Sequence, residues 1–320
     1  MINVHMPHPD QTALPGDGLV RISRAALIRL KQRGDNLPLR TIRVRSRRSG
    51  AHLTRLRERG MEFDEARLYQ PGDEIRHIDW RITARTGKPH SKLFRVEKER
   101  AVILWVDYRA PMYFATQGRF KSVLASEAAA MVAWSTHKVG DRLGGLLFSE
   151  LGHQELRPRN DERTVLRFIS LLADYSQLPP RPSRPDQRQE AAGSALARIK
   201  RVARPGSLIF LISDFRDLSA SSATHITSLA RHNDLILLRL FDPLEAELPR
   251  AGCYTLSDGD RFVTIDSGDH NRRLQHREHY QAQQSHLEQL CRQHGIHLLQ
   301  CASNDNLSTV LQLGLGRQRV

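Results

Sequence analysis

The chain has 320 residues, 39% of them hydrophobic and 26% charged, with 49 Lys and Arg against 35 Asp and Glu for a formal net charge of +14. That composition supplies a full globular core, while apolar runs such as 101–106 and 207–212 fall far short of the roughly 20 residues that a membrane-spanning helix needs. The basic excess speaks for an acidic partner surface, a nucleic acid or an anionic membrane face, and says nothing about the fold.

Residues 1–18 carry Pro7, Pro9, Pro15, Gly16 and Gly18 with few large apolar groups, which predicts a flexible lead. No basic start feeds an apolar run, so no secretory signal is read and a cytoplasmic location is expected. Over 19–38, Ile22, Ala25, Ala26 and Leu30 recur at helical spacing, with Ser23 as N-cap and Gly34, Asp35 and Asn36 as the stop. A short basic amphipathic helix is predicted. Between Leu19 and Gly60, 13 Arg and Lys face only Asp35 and Glu58. Arg45, Arg47 and Arg48 within this arm are candidates for partner binding. Arginine clusters also contact phosphates, so nucleic-acid binding through 40–59 stays as an alternative, although no aromatic residues interleave with the arginines.

Residues 39–99 change texture to brief extended pieces broken by Gly50, Gly60, Pro71-Gly72 and Gly87-Lys88-Pro89, with period-two alternation over 92–96. A small β-rich element is predicted. From residue 100 to 305 the pattern is α/β. Apolar strands are expected at Ala101–Val106, Arg142–Ser149, Ser207–Ser213, Leu235–Leu240 and Ile296–Cys301. A polar edge strand is expected at His153–Arg157 and a further edge strand at Cys253–Leu256. Helices are expected from Phe120 to Trp134, Glu162 to Tyr175, Gln187 to Val202, around Ile226 and Leu229, and from Asp269 to Gln293, while the prolines of 179–185 form a connector. The last residues, 306–320, read as a flexible tail. Strands alternating with helices in this way give a doubly wound, mostly parallel sheet.

Such sheets bind at the carboxyl ends of their strands, and Asp107 and Asp214 stand at two of those ends. Each could cap the turn that follows it, or the pair could converge on an ion or a partner. Cys253, Cys291 and Cys301 show no Cys-x-x-Cys spacing and read as small buried thiols. Asp258, Asp260, Asp266 and Asp269 read as solvated turns. His276 and His279 lack a third partner for zinc, there is no phosphate-binding glycine loop, and no general base stands beside a nucleophile. The reading is therefore non-enzymatic, without a cofactor.

The segment from Gly60 to Glu99 resembles the signature of the DUF58 family: Arg67-Leu68-Tyr69-Gln70-Pro71-Gly72-Asp73, then Ile75-Arg76-His77-Ile78-Asp79-Trp80, then Ala84-Arg85-Thr86-Gly87. The resemblance covers about residues 40–305. It implies a von Willebrand factor A-like α/β domain with a small β element, acting as an adaptor or chaperone-system component beside a MoxR-type AAA+ ATPase and other von Willebrand A proteins. Domains of that kind often carry a metal site made from Asp-x-Ser-x-Ser, a distant Thr and a distant Asp. Asp107 and Asp214 match its two aspartates, Arg109 and Pro111 replace the serines, and Ser183 in the proline-rich connector is the nearest hydroxyl to the threonine position. A guanidinium there supplies the charge that a cation would bring. The expectation is a dismantled site with no metal, in which Asp107, Arg109, Asp214 and Ser183 contact a partner; a metal-dependent protein with relocated ligands is the alternative. Tyr69, Gly72, Asp73, Arg76, Asp79 and Arg85 are expected to form a structural network around Trp80 as an anchor.

Overall fold

A computed structural model of the chain describes residues 17–39, 61–70, 75–96, 99–177, 183–216, 218–249, 252–257 and 262–316. Internal contacts divide it into two units, Met1–Ser46 with Arg100–Val320, and Arg47–Glu99. In the first unit the expected amphipathic helix is two short ones, α1 (Arg24–Arg29) and α2 (Lys31–Asp35), joined at Leu30. Ser23 caps α1 by accepting from the Ala26 amide at 3.2 Å. Gly34 lies inside α2 instead of ending it: a Cβ there would meet the Met131 carbonyl oxygen at 2.6 Å and Trp134 Cβ at 2.8 Å, so this glycine permits close packing.

In the unit Arg47–Glu99, β1 (Met61–Leu68) pairs antiparallel with β2 (His90–Val96). Between them runs α3 (Trp80–Thr86), a helix too short to show its period in the sequence. Asp79 caps it, accepting from the Arg81 and Ile82 amides at 3.0 and 3.1 Å, and Gly87 at φ 70° ends it in the left-handed region. Of the expected network, Tyr69 is tied through its amide to the Pro89 carbonyl, while Arg76 and Arg85 are exposed and Gly72 and Asp73 lie outside the described residues. Trp80 is 68% exposed.

The rest of the chain builds the α/β domain. In order it comprises β3 (Ala101–Asp107), α4 (Lys121–Val139), β4 (Arg142–Ser149), β5 (Gly152–Arg159), α5 (Glu162–Ser176), α6 (Pro185–Val202), β6 (Leu208–Ser213) and α7 (Ala220–Ala230). There follow β7 (Asp234–Phe241), α8 (Pro243–Ala246), β8 (Cys253–Ser257), β9 (Phe262–Asp266), α9 (His270–His294), β10 (His297–Ala302) and α10 (Leu307–Gly316). The sheet order is β10-β7-β6-β3-β4-β5. All neighbours are parallel except the edge strand β5, antiparallel to β4. Side chains alternate between faces: Val102, Leu104 and Val106 join the core that holds α4 and α5, while Ile103 and Trp105 join the core that holds α6, α7 and Leu287 and Cys291 of α9. Helices on both faces make the sheet doubly wound. The strand order reverses between β3 and β6, which opens a crevice at their carboxyl ends.

Three expectations need correction. The strand at Cys253 does not edge the main sheet; β8 pairs with β9 in a separate antiparallel hairpin. That hairpin takes Asp266 into a strand, Asp269 caps α9 by accepting from the Asn271 amide, Asp258 and Asp260 lie outside the described residues, and Cys253 is exposed rather than buried. The supposed flexible tail contains α10, which buries Leu307, Leu311 and Leu315 because their four-residue spacing puts them on one helical face.

Candidate functional site

The apolar run of β3 carries Asp107 to the top of the sheet, where it is fully buried. The chain then turns through Arg109 into a 3-10 turn, Ala110–Met112, with Pro111 inside it. That short connection folds Arg109 back over its own strand end. Its Nε lies 3.0 Å from both carboxylate oxygens of Asp107 and its Nη2 lies 2.6 Å from Oδ2, a side-on bidentate pair of the kind guanidinium geometry favours. The Arg109 amide donates to Oδ1 at 2.9 Å and the Ser213 hydroxyl to Oδ2 at 2.6 Å. Both oxygens of Asp107 are thus engaged.

β6 delivers Ser213 and Asp214 beside them. The next residue, Phe215, has φ 51°, an uncommon value for a bulky side chain and a sign of backbone strain. Its amide donates to Ser213 Oγ at 3.0 Å, and the Arg216 amide to Asp214 Oδ1 at 3.0 Å. Asp214 lies 3.8 Å from Arg109 Nη2 and accepts from Lys121 Nζ at 3.1 Å. Lys121 opens α4 and is fully buried. A positive charge at a helix N-terminus opposes the helix dipole, and here two carboxylates offset it, since Nζ also lies 2.6 Å from Glu245 Oε1. Glu245 closes a capping box with Asp242 in α8 and takes Arg216 Nη2 at 2.6 Å as well.

Six charged groups therefore form one chain of contacts: Asp107, Arg109, Asp214, Lys121, Glu245 and Arg216. Three are negative and three positive, so the cluster neutralises itself. Burial alone would raise the Asp214 carboxyl, but Lys121, then Arg109 and Arg216, outweigh it and hold that group below the usual carboxylate range. Burial likewise disfavours the Arg109 cation, and Asp107 beside it more than compensates, so Arg109 stays charged. A hard divalent cation wants about six oxygen ligands. The oxygens that could serve are already held by nitrogen donors, and the space between the two aspartates contains a guanidinium. Among the described residues no group of three or more His, Cys, Asp or Glu side chains could hold a metal ion.

The structure brings Asp107, Arg109 and Asp214 together and joins Ser183 to them through a relay. Ser183 donates to Glu150 Oε1 at 2.6 Å, which also accepts from the Ala110 amide. Its carbonyl accepts from Arg188, whose own carbonyl accepts from Arg109 Nη1. Arg45, Arg47 and Arg48 lie outside the described residues. Sequence reasoning missed Lys121, Glu245 and Arg216. Lys121 carried a faint signal, a lysine set between Phe120 and Val123 on a stripe of otherwise apolar residues; Glu245 and Arg216 carried none, because they stand in a four-residue helix and a loop.

Asp107, Arg109 and Asp214 are at most 6% exposed, so a partner reaches them only through the rim. The accessible part of the cluster is Arg216, whose side chain is 41% exposed.

The model of the family "Protein of unknown function DUF58" matches residues 65–287. An uncharacterized protein of Mycobacterium tuberculosis and one of Mycobacterium bovis are each 30% identical to this chain over 217 residues, 67% of this chain and 65% of the relative. The match thus spans less than two thirds of those relatives' length. Among solved structures, the conserved hypothetical protein BatB from Bacteroides thetaiotaomicron aligns over 68% of this chain and 98% of its own, at 12% identity and a TM-score of 0.42. A von Willebrand factor type A protein from Catenulispora acidiphila aligns over 72% of this chain and 44% of its own, at 12% identity and a TM-score of 0.37. An aerotolerance-related membrane protein from Bacteroides fragilis aligns at 12% identity over 68% and 99%, with a TM-score of 0.41. In the present chain no helix among the described residues is long and apolar enough to cross a membrane.

Proposed function

The chain belongs to the DUF58 family of proteins of unknown function, and from that premise we propose that it is a non-enzymatic adaptor that docks a MoxR-type AAA+ ATPase, with Arg109 and Lys121 doing electrostatically what a bound cation does in metal-dependent relatives of this fold. The observation that carries the reading is the closed charge set at the top of the sheet. Every carboxylate in it is already paired with a cation, which leaves no free base beside a nucleophile there and gives the crevice a fixed, preorganised shape. The buried pairs hold Phe215 and Arg216 in place, and those two residues form the accessible rim that meets the ATPase. The basic arm around Arg45, Arg47 and Arg48 would add electrostatic steering, which raises association rates more than it deepens affinity.

The test is binding of the purified full chain to a purified MoxR-type ATPase by biolayer interferometry. Charge reversal at Arg216 should raise the dissociation rate, because rim contacts adjoining a preorganised cluster act mainly there. Reversal of Arg47 and Arg48 together should lower the association rate and its salt dependence. No measurable binding by the wild-type chain, with or without nucleotide, would sink the adaptor reading.

A further inference from the structure

Five cations at the amino ends of the strands, opposite the crevice, take no part in the charge set of Asp107 and Asp214. Arg157 of β5, Lys200 and Arg201 in the last turn of α6, Arg204 in the loop that follows and Arg231 at the end of α7 are all exposed. Among the described residues none of the five side chains has an ion-pair or hydrogen-bond partner. The acidic groups nearby are taken by other cations: Asp141 holds Arg100 at 2.8 Å and Glu155 holds Arg198 at 2.7 Å.

The fold gathers them on one surface. The pair between Arg198 and Glu155 ties α6 to β5; Arg201 follows Arg198 by one turn on the same side of the helix, and Arg157 stands two residues beyond Glu155 on its strand. Another side of α6 faces α7, since a Cβ on Gly193 would meet the Ser222 and Ser221 hydroxyls at 3.8 and 3.9 Å, and Lys200 lies two turns beyond Gly193 on that side. The Gly206 amide donates to the His232 carbonyl at 2.8 Å and the Asp234 amide to the Ser207 carbonyl at 3.0 Å. Those bonds seat the loop of Arg204 against the end of α7, beside Arg231. From β7 to β5 is four strand steps across the sheet, about 19 Å.

A cation at a helix C-terminus offsets the helix dipole, which accounts for one residue at each of α6 and α7 and leaves Arg157 and Arg204 without such a task. None of the large apolar side chains exposed among the described residues lies in this patch, so it lacks the anchor of a protein hot spot. It also lacks the aromatic faces that hold single-stranded nucleic acid. Duplex phosphates are gripped by backbone amides and helix N-termini, whereas α6 and α7 both turn their C-terminal carbonyls to this end. An anionic bilayer needs none of these, because it attracts clustered Lys and Arg across a Debye length without close contact. We infer that the patch of Arg157, Lys200, Arg201, Arg204 and Arg231 rests on a membrane surface of acidic phospholipids. The crevice with Phe215 and Arg216 opens at the other end of the same strands and faces away from the bilayer, so the inference goes beyond the adaptor reading and stands or falls apart from it.

The experiment sediments the purified full chain with vesicles of phosphatidylcholine alone and of phosphatidylcholine with roughly one third phosphatidylglycerol. Binding should require the acidic lipid and be lost between about 0.1 M and about 1 M salt, as the Debye length falls from about 10 to about 3 Å. Arg201→Gln, Arg204→Gln and Arg231→Gln together leave the core untouched and should keep the circular dichroism and unfolding midpoint of the wild type. At about fivefold per cation, they should lower the partition coefficient about hundredfold. Arg45→Gln, Arg47→Gln and Arg48→Gln together remove the same charge from the basic arm and should weaken binding less. The inference is overturned by no binding, by equal binding to both vesicle types, by an undiminished partition coefficient in the patch variant, or by a larger loss in the arm variant. Displacement from the vesicles by a short DNA duplex or by polyglutamate, at a charge concentration below that of the acidic lipid, also overturns it and gives the patch to a nucleic acid or to an acidic protein segment.

Discussion

Replacing Lys121 by Met removes the ammonium that joins Asp214 to Glu245 while keeping most of the stem's volume. Lys121 is fully buried, with Nζ 3.1 Å from Asp214 and 2.6 Å from Glu245. Breaking a buried pair by deleting one partner costs about 3–5 kcal/mol, because the other charge is left in a poor solvent. Removing a cation from the N-terminus of α4 returns about 0.3–1 kcal/mol, so the net loss should be roughly 2–5 kcal/mol. For a domain of this size that corresponds to a fall of about 4–20 °C in unfolding midpoint, measurable by calorimetry and by urea denaturation with an unchanged slope. The acid limb should change too. The Asp214 carboxyl is depressed in the folded state, so its stabilisation is full above its unfolded value, about 3.9, and is lost as pH falls through the lower folded value. Lys121 is the strongest of the charges depressing it, so Lys121→Met should lose less on acidification than the wild type does. Adding Asp214→Asn should recover part of the loss, giving a coupling energy of at least about 1 kcal/mol in the double-mutant cycle. A single-variant loss below about 1 kcal/mol, together with an unchanged acid limb, would refute the closed charge set.

Gly34→Ala should cost about 1–3 kcal/mol in urea unfolding, since its Cβ would press on the Met131 carbonyl at 2.6 Å and overpacking forces backbone shifts of that cost. Leu311→Ala should cost about 2–5 kcal/mol, because Leu311 is fully buried in α10; a negligible change would return residues 306–320 to a loose tail. Burial pushes the thiols of Cys291 and Cys301 up to about 12, Glu288 adding to the first and Asp305 to the second. At pH 8 a disulfide reagent should therefore label one thiol of the native chain quickly, exposed Cys253, and all three only after unfolding.

The sheet was legible because its strands are continuous apolar runs bounded by turns, as strands with both faces covered must be. β4 keeps the expected bounds, and β3, β6, β7 and β10 lie within one residue of theirs at either end. The two aspartates were legible as strand ends for the same reason. What closes the site was not. Arg109 was visible as a charge near Asp107, but its bidentate grip depends on the 3-10 turn that folds it back, and Glu245 reaches Lys121 across 124 positions of sequence. Period and propensity describe neighbours on one element and are silent on such pairs. The helix α10 was read as a tail; in the structure a Cβ at Gly314 would meet Leu299 at 2.3 Å, so this glycine lets α10 lie against β10. The hairpin β8–β9 looked like a sheet edge because a lone alternating segment does not reveal which strand it pairs with.

The central claim, that internal cations occupy the place of a metal between Asp107 and Asp214, is tested most directly by titrating the purified chain with Mn²⁺ and following free manganese by electron paramagnetic resonance. The charge set predicts that all added Mn²⁺ stays free up to millimolar concentration, in wild type and in Asp107→Ala alike. Saturable binding by the wild type that disappears in Asp107→Ala would contradict it.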